Sequence, residues 1–160
     1  MTIIRSFDSN EARLLRDLAV QNYAEQYGDV DAADGENPAR QAYVSHILQI
    51  QESGKGVVLV AVQDDSLIGF VCLLKPETTA AENGSEDAYA YMSDLYVVPE
   101  HRKKGAGSLL IREGEARASE MGATRIALRV TADNEEARRF YSKAEYQEKF
   151  VVMSKVVGEG

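Results

Sequence analysis

The sequence predicts a mixed α/β fold, and the main observation is a strand–helix–strand segment in its second half. Residues 91–98 are rich in β-branched and aromatic side chains and stop at Pro99, which is typical of a strand. Residues 108–121 favour a helix closed by Gly122, and residues 125–130 alternate with period two. A chain of 160 residues, 44% of them hydrophobic, can bury one full core. We therefore predict a single domain over residues 1–160.

The first half of the chain favours a strand, two helices and a hairpin, in that order. Residues 2–7 are predicted to be a short strand, and Asp8 begins a helix cap. The helix that follows has a stripe at helical spacing made of Leu14, Leu15, Leu18 and Asn22 or Tyr23. Pro38 opens a second helix, whose apolar stripe contains Tyr43, Val44, Ile47, Leu48 and Ile50. Residues 56–62 and 68–74 flank a polar turn as a hairpin.

Two acidic loops and two further elements complete the predicted order. Residues 25–37 and 76–87 favour loops, a helix begins near Asn134, and residues 146–157 favour a last strand. The predicted order is therefore β-α-α-β-β-β-α-β-α-β.

Residues 102–108 place three cations and two glycines at the junction of a strand and a helix. Glycine allows a tight turn and a close backbone approach to a ligand, and the N–H groups that begin a helix attract anions. The lysine phosphate-loop motif does not fit because no Gly-Lys-Ser/Thr follows, and the dinucleotide motif fails because Leu110 is bulky where a third glycine belongs. This segment predicts a cradle for a pyrophosphate group.

Two motifs in this half of the chain resemble those of one family. The Arg-x-x-Gly-x-Gly pattern of residues 102–107 resembles the acyl-coenzyme-A loop of the GNAT superfamily of N-acetyltransferases. The Asn-x-x-Ala-x-x-Phe-Tyr pattern of residues 134–141 is similar to a second motif of that superfamily. The resemblance covers residues 57–152 well and the first fifty residues only loosely. It implies a GNAT-type acyl-CoA N-acyltransferase fold, whose central mixed, mostly antiparallel sheet is flanked by helices, with acetyl-CoA as co-substrate.

The resemblance also implies which residues bind and react. Asn134 would hydrogen-bond the pantetheine arm and Ala137 would leave room for it, while Tyr141 would protonate the departing thiolate. The alternative is that Asn134 only caps a helix and Tyr141 is a half-buried aromatic. Asp94 would be either the base or the counter-ion for the amine, and backbone N–H groups near Tyr96 and Val97 would steady the oxyanion. The predicted cofactor-binding residues are Leu95, Tyr96, Val97, Arg102, Lys103, Lys104, Gly105, Ala106, Gly107, Ser108, Asn134, Ala137 and Tyr141.

Charge is unevenly distributed along the chain, and this bears on the partners. Residues 1–100 hold 6 Lys and Arg against 17 Asp and Glu, whereas residues 101–160 hold 12 against 9. The basic half suits a phosphate-rich cofactor, and the acidic half would concentrate a cationic substrate and repel nucleic acid. No His/Cys cluster has metal-ligand spacing, so no metal is predicted.

The leading function is acetylation of a primary amine on a small molecule by direct attack in a ternary complex. One alternative is a protein acetyltransferase that acts on an N-terminal amine or a lysine, and another is a non-catalytic acyl-CoA-binding module. Family acceptor sites are built from the segments that correspond to residues 25–42 and 76–91, where the resemblance is weakest. The sequence therefore leaves the acceptor open.

Location and assembly are predicted from a few further features. The single cysteine, Cys72, excludes an internal disulfide, and the apolar stretches are too short to span a bilayer. Residues 1–8 do not have a signal-peptide layout. We predict a cytoplasmic protein with no membrane partner. The apolar run of residues 150–153 in the last predicted strand would need cover, which predicts a homodimer.

Overall fold

The computed structural model describes residues 1–28, 37–77 and 87–158. The chain divides into two compact units, Met1–Leu128 and Arg129–Gly160. In the described residues the first unit contains a five-stranded sheet and three α-helices, and the second contains one α-helix. Most of the two predicted acidic loops lies outside the described residues. That the whole chain is one domain stays a prediction.

Strands and helices of the first unit follow the predicted order. They are β1 (Ile3–Ser6), α1 (Ala12–Tyr27), α2 (Pro38–Gln49), β2 (Gly56–Gln63), β3 (Ser66–Leu74), β4 (Tyr89–Val97), α3 (Ala106–Glu120) and β5 (Arg125–Ala127). Short 3₁₀ helices at Ser9–Glu11 and Pro99–His101 precede α1 and the loop that leads to α3. The strand predicted over residues 125–130 is real but ends at Ala127.

The sheet is mixed and mostly antiparallel, with strand order β1-β2-β3-β4-β5. The first four strands pair antiparallel with their neighbours, whereas β5 pairs parallel to β4. A parallel pair needs a crossover connection, and α3 supplies it. The predicted fold class is therefore confirmed.

Side-chain caps mark the start of the 3₁₀ helix that precedes α1 and the start of α2. The side chain of Asp8 accepts a hydrogen bond from the Asn10 N–H at 2.9 Å, and the Asp8 N–H donates to Glu11. Asn37 accepts from two N–H groups in the first turn of α2, which Pro38 opens. Each cap satisfies backbone donors that a helix leaves without internal partners.

Helices of the first unit pack on both faces of its sheet. Leu73 of β3 faces α3, as its distance from Gly114 of that helix shows. A methyl group added to Gly114 would lie 3.1 Å from Leu73 Cδ1. Side chains alternate along a strand, so Phe70 and Cys72 face the opposite way. On that side Tyr96 of β4 hydrogen-bonds Gln21 of α1. The largest fully buried side chains are Phe70, Leu15, Ile47, Ile50, Leu59, Leu73 and Leu110.

The described residues of the second unit contain helix α4 (Glu135–Lys143), which begins after Asn134. The prediction of a last strand over residues 146–157 is wrong, because no strand ladder among the described residues includes them. Valine and phenylalanine favour an extended backbone, but a strand also needs a neighbour to complete its hydrogen bonds. The homodimer prediction is therefore no longer supported by an edge strand.

Of the helices in the described part of the chain, none combines the length and the apolar character needed to cross a membrane.

Candidate active site

A β-bulge in β4 determines to which face of the sheet Asp94 points. Cys72 lies opposite Asp94, but the next residue of β3, Leu73, lies opposite Met92. Ser93 is therefore the extra residue on β4. In a regular strand Met92 and Asp94 would share a face, whereas the bulge places Met92 on the α3 side and Asp94 on the side of α1 and α2.

Asp94 accepts a hydrogen bond on each of its carboxylate oxygens. The Tyr43 hydroxyl of α2 donates to Oδ1 at 2.8 Å, and the Ser93 hydroxyl donates to Oδ2 at 2.8 Å. Asn22 of α1 donates from Nδ2 to the Tyr43 oxygen at 2.7 Å, and Gln26 donates from Nε2 to Asn22 Oδ1 at 3.0 Å. A continuous chain of hydrogen bonds thus runs from α1 through α2 to β4.

Two side chains near Asp94 are kept protonated by their surroundings. Burial, followed by the charge of Asp94 and the hydrogen bond to it, raises the pKa of the Tyr43 hydroxyl far above its usual range. Burial, followed by the same charge, raises the pKa of the Cys72 thiol. Both groups therefore stay protonated near neutral pH. The described residues hold no group of three or more His, Cys, Asp or Glu side chains that could bind a metal ion.

Part of β4 has an open edge within the described part of the first unit. The parallel ladder with β5 ends at Tyr91 and Ala127, so residues 92–97 have no β5 partner. The Val98 N–H donates to the Ile68 carbonyl of β3 at 2.8 Å.

Hydrogen-bonded residue pairs alternate along an antiparallel ladder. Counting back from Val98, the N–H of Tyr96 points to β3, whereas those of Leu95 and Val97 point to the open edge. An oxyanion donor must point to the open edge. The register gives this direction to the N–H groups of Val97 and Leu95, but not to that of Tyr96.

The loop between β4 and α3 has the backbone that an anion cradle needs. Gly105 adopts φ 95° and ψ −4°, a left-handed conformation, and is the N-cap of α3 without any side-chain cap. The first helical hydrogen bond runs from the Leu109 N–H to the Gly105 carbonyl. The N–H groups of residues 106–108 therefore have no acceptor within the helix, and they point out of its positive end. Lys103 and Lys104 are exposed beside them.

Arg102 connects this loop to β4 and α1. Its Nε donates to the Val97 carbonyl at 2.7 Å, and its Nη2 contacts Glu25 Oε2 at 2.6 Å. The guanidinium also lies 5.4 Å from the centre of the Tyr96 ring. These contacts hold the loop against the strand that precedes it, so Arg102 has a positioning role whatever else it binds.

Helix α4 carries the predicted residues of the second unit. Asn134 Oδ1 accepts from the Ala137 N–H at 3.1 Å, so the side-chain oxygen caps the helix while the amide nitrogen takes no part in the cap. Ala137 and Tyr141 are half-buried and four residues apart, which places them on one face of α4. The Tyr141 ring packs edge-on against Phe140 and Tyr146. Asp94 and the cradle residues belong to the first unit, and Asn134, Ala137 and Tyr141 to the second.

Sequence reasoning missed the residues that hold Asp94. Helical spacing predicts only that Asn22 and Tyr43 belong to helix stripes, and no pattern singles out Gln26. One signal was present, because Asn22 is a polar residue in a stripe of leucines and is only 4% exposed in the structure. Such a residue needs a buried partner, but nothing in the sequence indicates that the partner is Tyr43.

Comparison with known proteins agrees with this geometry. The sequence model of the acetyltransferase (GNAT) family matches residues 15–146. An uncharacterised N-acetyltransferase of Bacillus subtilis, YhfO, is 29% identical over 145 residues, which are 91% of this chain and 89% of the relative.

Two crystal structures share the fold over nearly the whole chain. An aminoglycoside acetyltransferase from an uncultured soil metagenomic sample has a TM-score of 0.71 at 24% identity and covers 99% of both chains. A ribosomal-protein-alanine N-acetyltransferase from Brucella melitensis biovar Abortus 2308 has a TM-score of 0.70 at 21% identity, covering 99% of this chain and 100% of that one. The family match and the named relatives together establish that this chain is an acetyltransferase and belongs to the GNAT family.

Proposed function

We propose that this acetyltransferase moves the acetyl group of acetyl-CoA to a primary amine of a small cationic molecule, by direct attack in a ternary complex. The observation that carries the proposal is the half-buried Asp94 carboxylate, which two hydroxyls hold on β4 beside the open-edge N–H groups of Leu95 and Val97. An anion suited to an ammonium group and donors suited to an oxyanion are thus neighbours on one strand.

The cradle residues of the first unit supply the proposed binding site for the pyrophosphate of acetyl-CoA. Support comes from the left-handed Gly105, from the uncapped N–H groups of residues 106–108 and from the exposed Lys103 and Lys104. The Val97 N–H would hydrogen-bond the pantetheine arm along the open edge of β4, as an added strand would, and the Leu95 N–H would serve the oxyanion. Membership of the family supports a hydrogen bond from Asn134 of α4 to the same arm, with Ala137 leaving room for it.

The proposed reaction needs two proton transfers and one stabilised charge. An alkyl ammonium has a pKa of about 10.4, so the acceptor must lose a proton before its nitrogen attacks the thioester carbonyl. Asp94 would hold the ammonium group and receive or relay that proton. Donors on β4 would stabilise the negative charge on the carbonyl oxygen as the C–N bond forms. As the C–S bond breaks, the thiolate of coenzyme A would take a proton from Tyr141, the role that the family motif supports.

A cationic small molecule is the proposed acceptor because α1 and α2 place aromatic rings on the side of the sheet to which the Asp94 carboxylate points. The ring centres of Tyr23 and Tyr27 are 4.7 Å apart, and those of Tyr23 and Tyr43 are 5.5 Å apart. Aromatic faces attract cations, and the net negative charge of the first half of the chain attracts them over a longer range. A cytoplasmic location and a homodimer remain predictions.

An amine panel tests the proposal. The purified protein is incubated with acetyl-CoA and, in turn, 1,4-diaminobutane, lysine methyl ester, kanamycin or a peptide with a free N-terminus, and released thiol is measured. We expect thiol release above the amine-free rate with at least one of the three small amines. Release with the peptide alone would transfer the proposal to a protein acceptor, and no amine-dependent release would overturn it.

A further inference from the structure

We propose that Tyr43 is a positioning residue for Asp94, and that Asn22 in turn fixes the hydroxyl of Tyr43. This inference rests on the proposed function and deepens it, because it states how the acceptor side of the site is set. Tyr43 would determine the direction in which the Asp94 carboxylate meets the amine.

The direction of each hydrogen bond in this chain follows from the donors available. Gln26 donates from its amide nitrogen to Asn22 Oδ1, so Asn22 must direct its own Nδ2 toward Tyr43. The Tyr43 oxygen therefore accepts from Asn22 and has one hydrogen left to donate. That hydrogen goes to Asp94 Oδ1, 2.8 Å away.

Burial of Asn22 makes it costly for the hydrogen bonds between Asn22, Tyr43 and Asp94 to be replaced by others. Asn22 is 4% exposed, and the Tyr43 ring packs against Tyr23 with centres 5.5 Å apart. A buried amide or hydroxyl that loses its partner does not regain a hydrogen bond from water. The raised pKa of Tyr43 agrees with a hydroxyl that remains a donor from neutral to alkaline pH.

Tyr43 and Ser93 together define the plane of the Asp94 carboxylate. Each carboxylate oxygen has two acceptor directions, and the two hydroxyls occupy one on each oxygen. An ammonium group is then restricted to the remaining directions. Ser93 is the bulge residue next to Asp94, so among the described residues this constraint comes from another element through Tyr43, which Asn22 holds in turn.

The test compares Tyr43→Phe with Tyr23→Phe. Each variant removes one hydroxyl and keeps the ring, but no hydrogen bond in the described residues involves the Tyr23 hydroxyl. We expect Tyr43→Phe to raise the KM for the best acceptor among 1,4-diaminobutane, lysine methyl ester and kanamycin by about 3- to 10-fold, the cost of ordering one side chain, that of Asp94, as the amine binds. The KM for acetyl-CoA should stay within about twofold in Tyr43→Phe, and Tyr23→Phe should raise the KM for the acceptor less than Tyr43→Phe does.

A second background separates positioning from general damage to the fold. If Tyr43 acts through Asp94, adding Tyr43→Phe to Asp94→Asn should change kcat/KM by less than about threefold. An equal loss in both backgrounds would overturn the inference, because the hydroxyl would then act independently of Asp94.

Crystal structures supply a readout that does not need turnover. In Tyr43→Phe we expect the Asp94 carboxylate to rotate away from its present direction, whereas Tyr23→Phe should leave it in place. An unchanged carboxylate in Tyr43→Phe would overturn the inference even if the enzyme is active. A parent enzyme that acetylates no amine would instead overturn the proposed function, and the two crystal structures would still decide the role of Tyr43.

Discussion

Gly105→Ala, compared with Gly122→Ala, isolates the contribution of the cradle backbone to acetyl-CoA binding. Gly105 precedes α3 with φ 95°, and Gly122 follows the same helix with φ 88°. A Cβ at either position would meet no atom within 4 Å, so in both variants the cost comes from the backbone conformation alone. A left-handed conformation costs a residue with a Cβ about 1–2 kcal/mol. The two sites are roughly 25 Å apart at 1.5 Å per helical residue.

Gly122→Ala should therefore lose about 1–2 kcal/mol of unfolding free energy, which lowers Tm by about 2–4 °C per kcal/mol in a chain of this length, whereas Gly105→Ala should lose less because its turn relaxes in the free protein. Only Gly105→Ala should weaken coenzyme A binding, because relief of the strain moves the N–H groups of residues 106–108. If binding must restore the strained turn, affinity falls by about 5- to 30-fold. Scanning calorimetry measures the stability of each variant and titration calorimetry its affinity for coenzyme A. An equal loss of affinity in the two variants, or none in Gly105→Ala, would refute the cradle.

Four other predictions concern the ligand site, the chemistry and the assembly. Gly107→Val should abolish detectable coenzyme A binding in titration calorimetry while the circular dichroism spectrum stays that of the parent, because a branched side chain would occupy the proposed pyrophosphate position; unchanged affinity would contradict it. Tyr141→Phe should lower kcat by roughly 10²–10⁴-fold and leave coenzyme A affinity nearly intact, and normal turnover with chemistry as the slow step would show that water is the acid. Asp94→Asn should lose most activity at neutral pH, where the amine is protonated, and recover in part as pH approaches the amine pKa of about 10.4; a loss of equal size at every pH would exclude a role in handling the ammonium group. Residues 150–153 expose apolar side chains that an interface could cover, so light scattering at micromolar concentration should give the mass of a homodimer, and a monomer mass would rule it out.

The backbone of the proposed cradle could be predicted from the sequence because its determinants are local. Glycine at position 105 permits the left-handed turn, and Ala106 begins the helix only one residue later. The cap at Asp8 is equally local, since its side chain accepts from an N–H group two residues away.

The surroundings of Asp94 could not be predicted in the same way, because tertiary contacts create them. Asn22 and Tyr43 are 21 residues apart, and Tyr43 and Asp94 are 51 apart. Helical periodicity placed Asn22 and Tyr43 in stripes but could not say what each stripe faces. The bulge at Ser93 adds one residue without any break in composition, so the pattern of β4 gave no sign that Met92 and Asp94 face opposite ways.

Strand ends depend on neighbours for a similar reason. Residues 128–130 continue the alternation of β5, yet the ladder with β4 stops at Ala127. Residues 146–157 have strand-like composition without a ladder. Side-chain preference favours an extended chain, whereas pairing determines whether it becomes part of a sheet.

Transfer of an isotopically labelled acetyl group tests the central claim most directly. The enzyme is incubated with acetyl-CoA labelled in the acetyl carbonyl and with the best acceptor of the amine panel, and both the amine product and the protein are analysed by mass spectrometry. Direct attack in a ternary complex predicts one labelled amide on the acceptor nitrogen for each coenzyme A released, with no label on the protein when the amine is omitted. Labelled protein, or coenzyme A release without a labelled amide, would contradict the account.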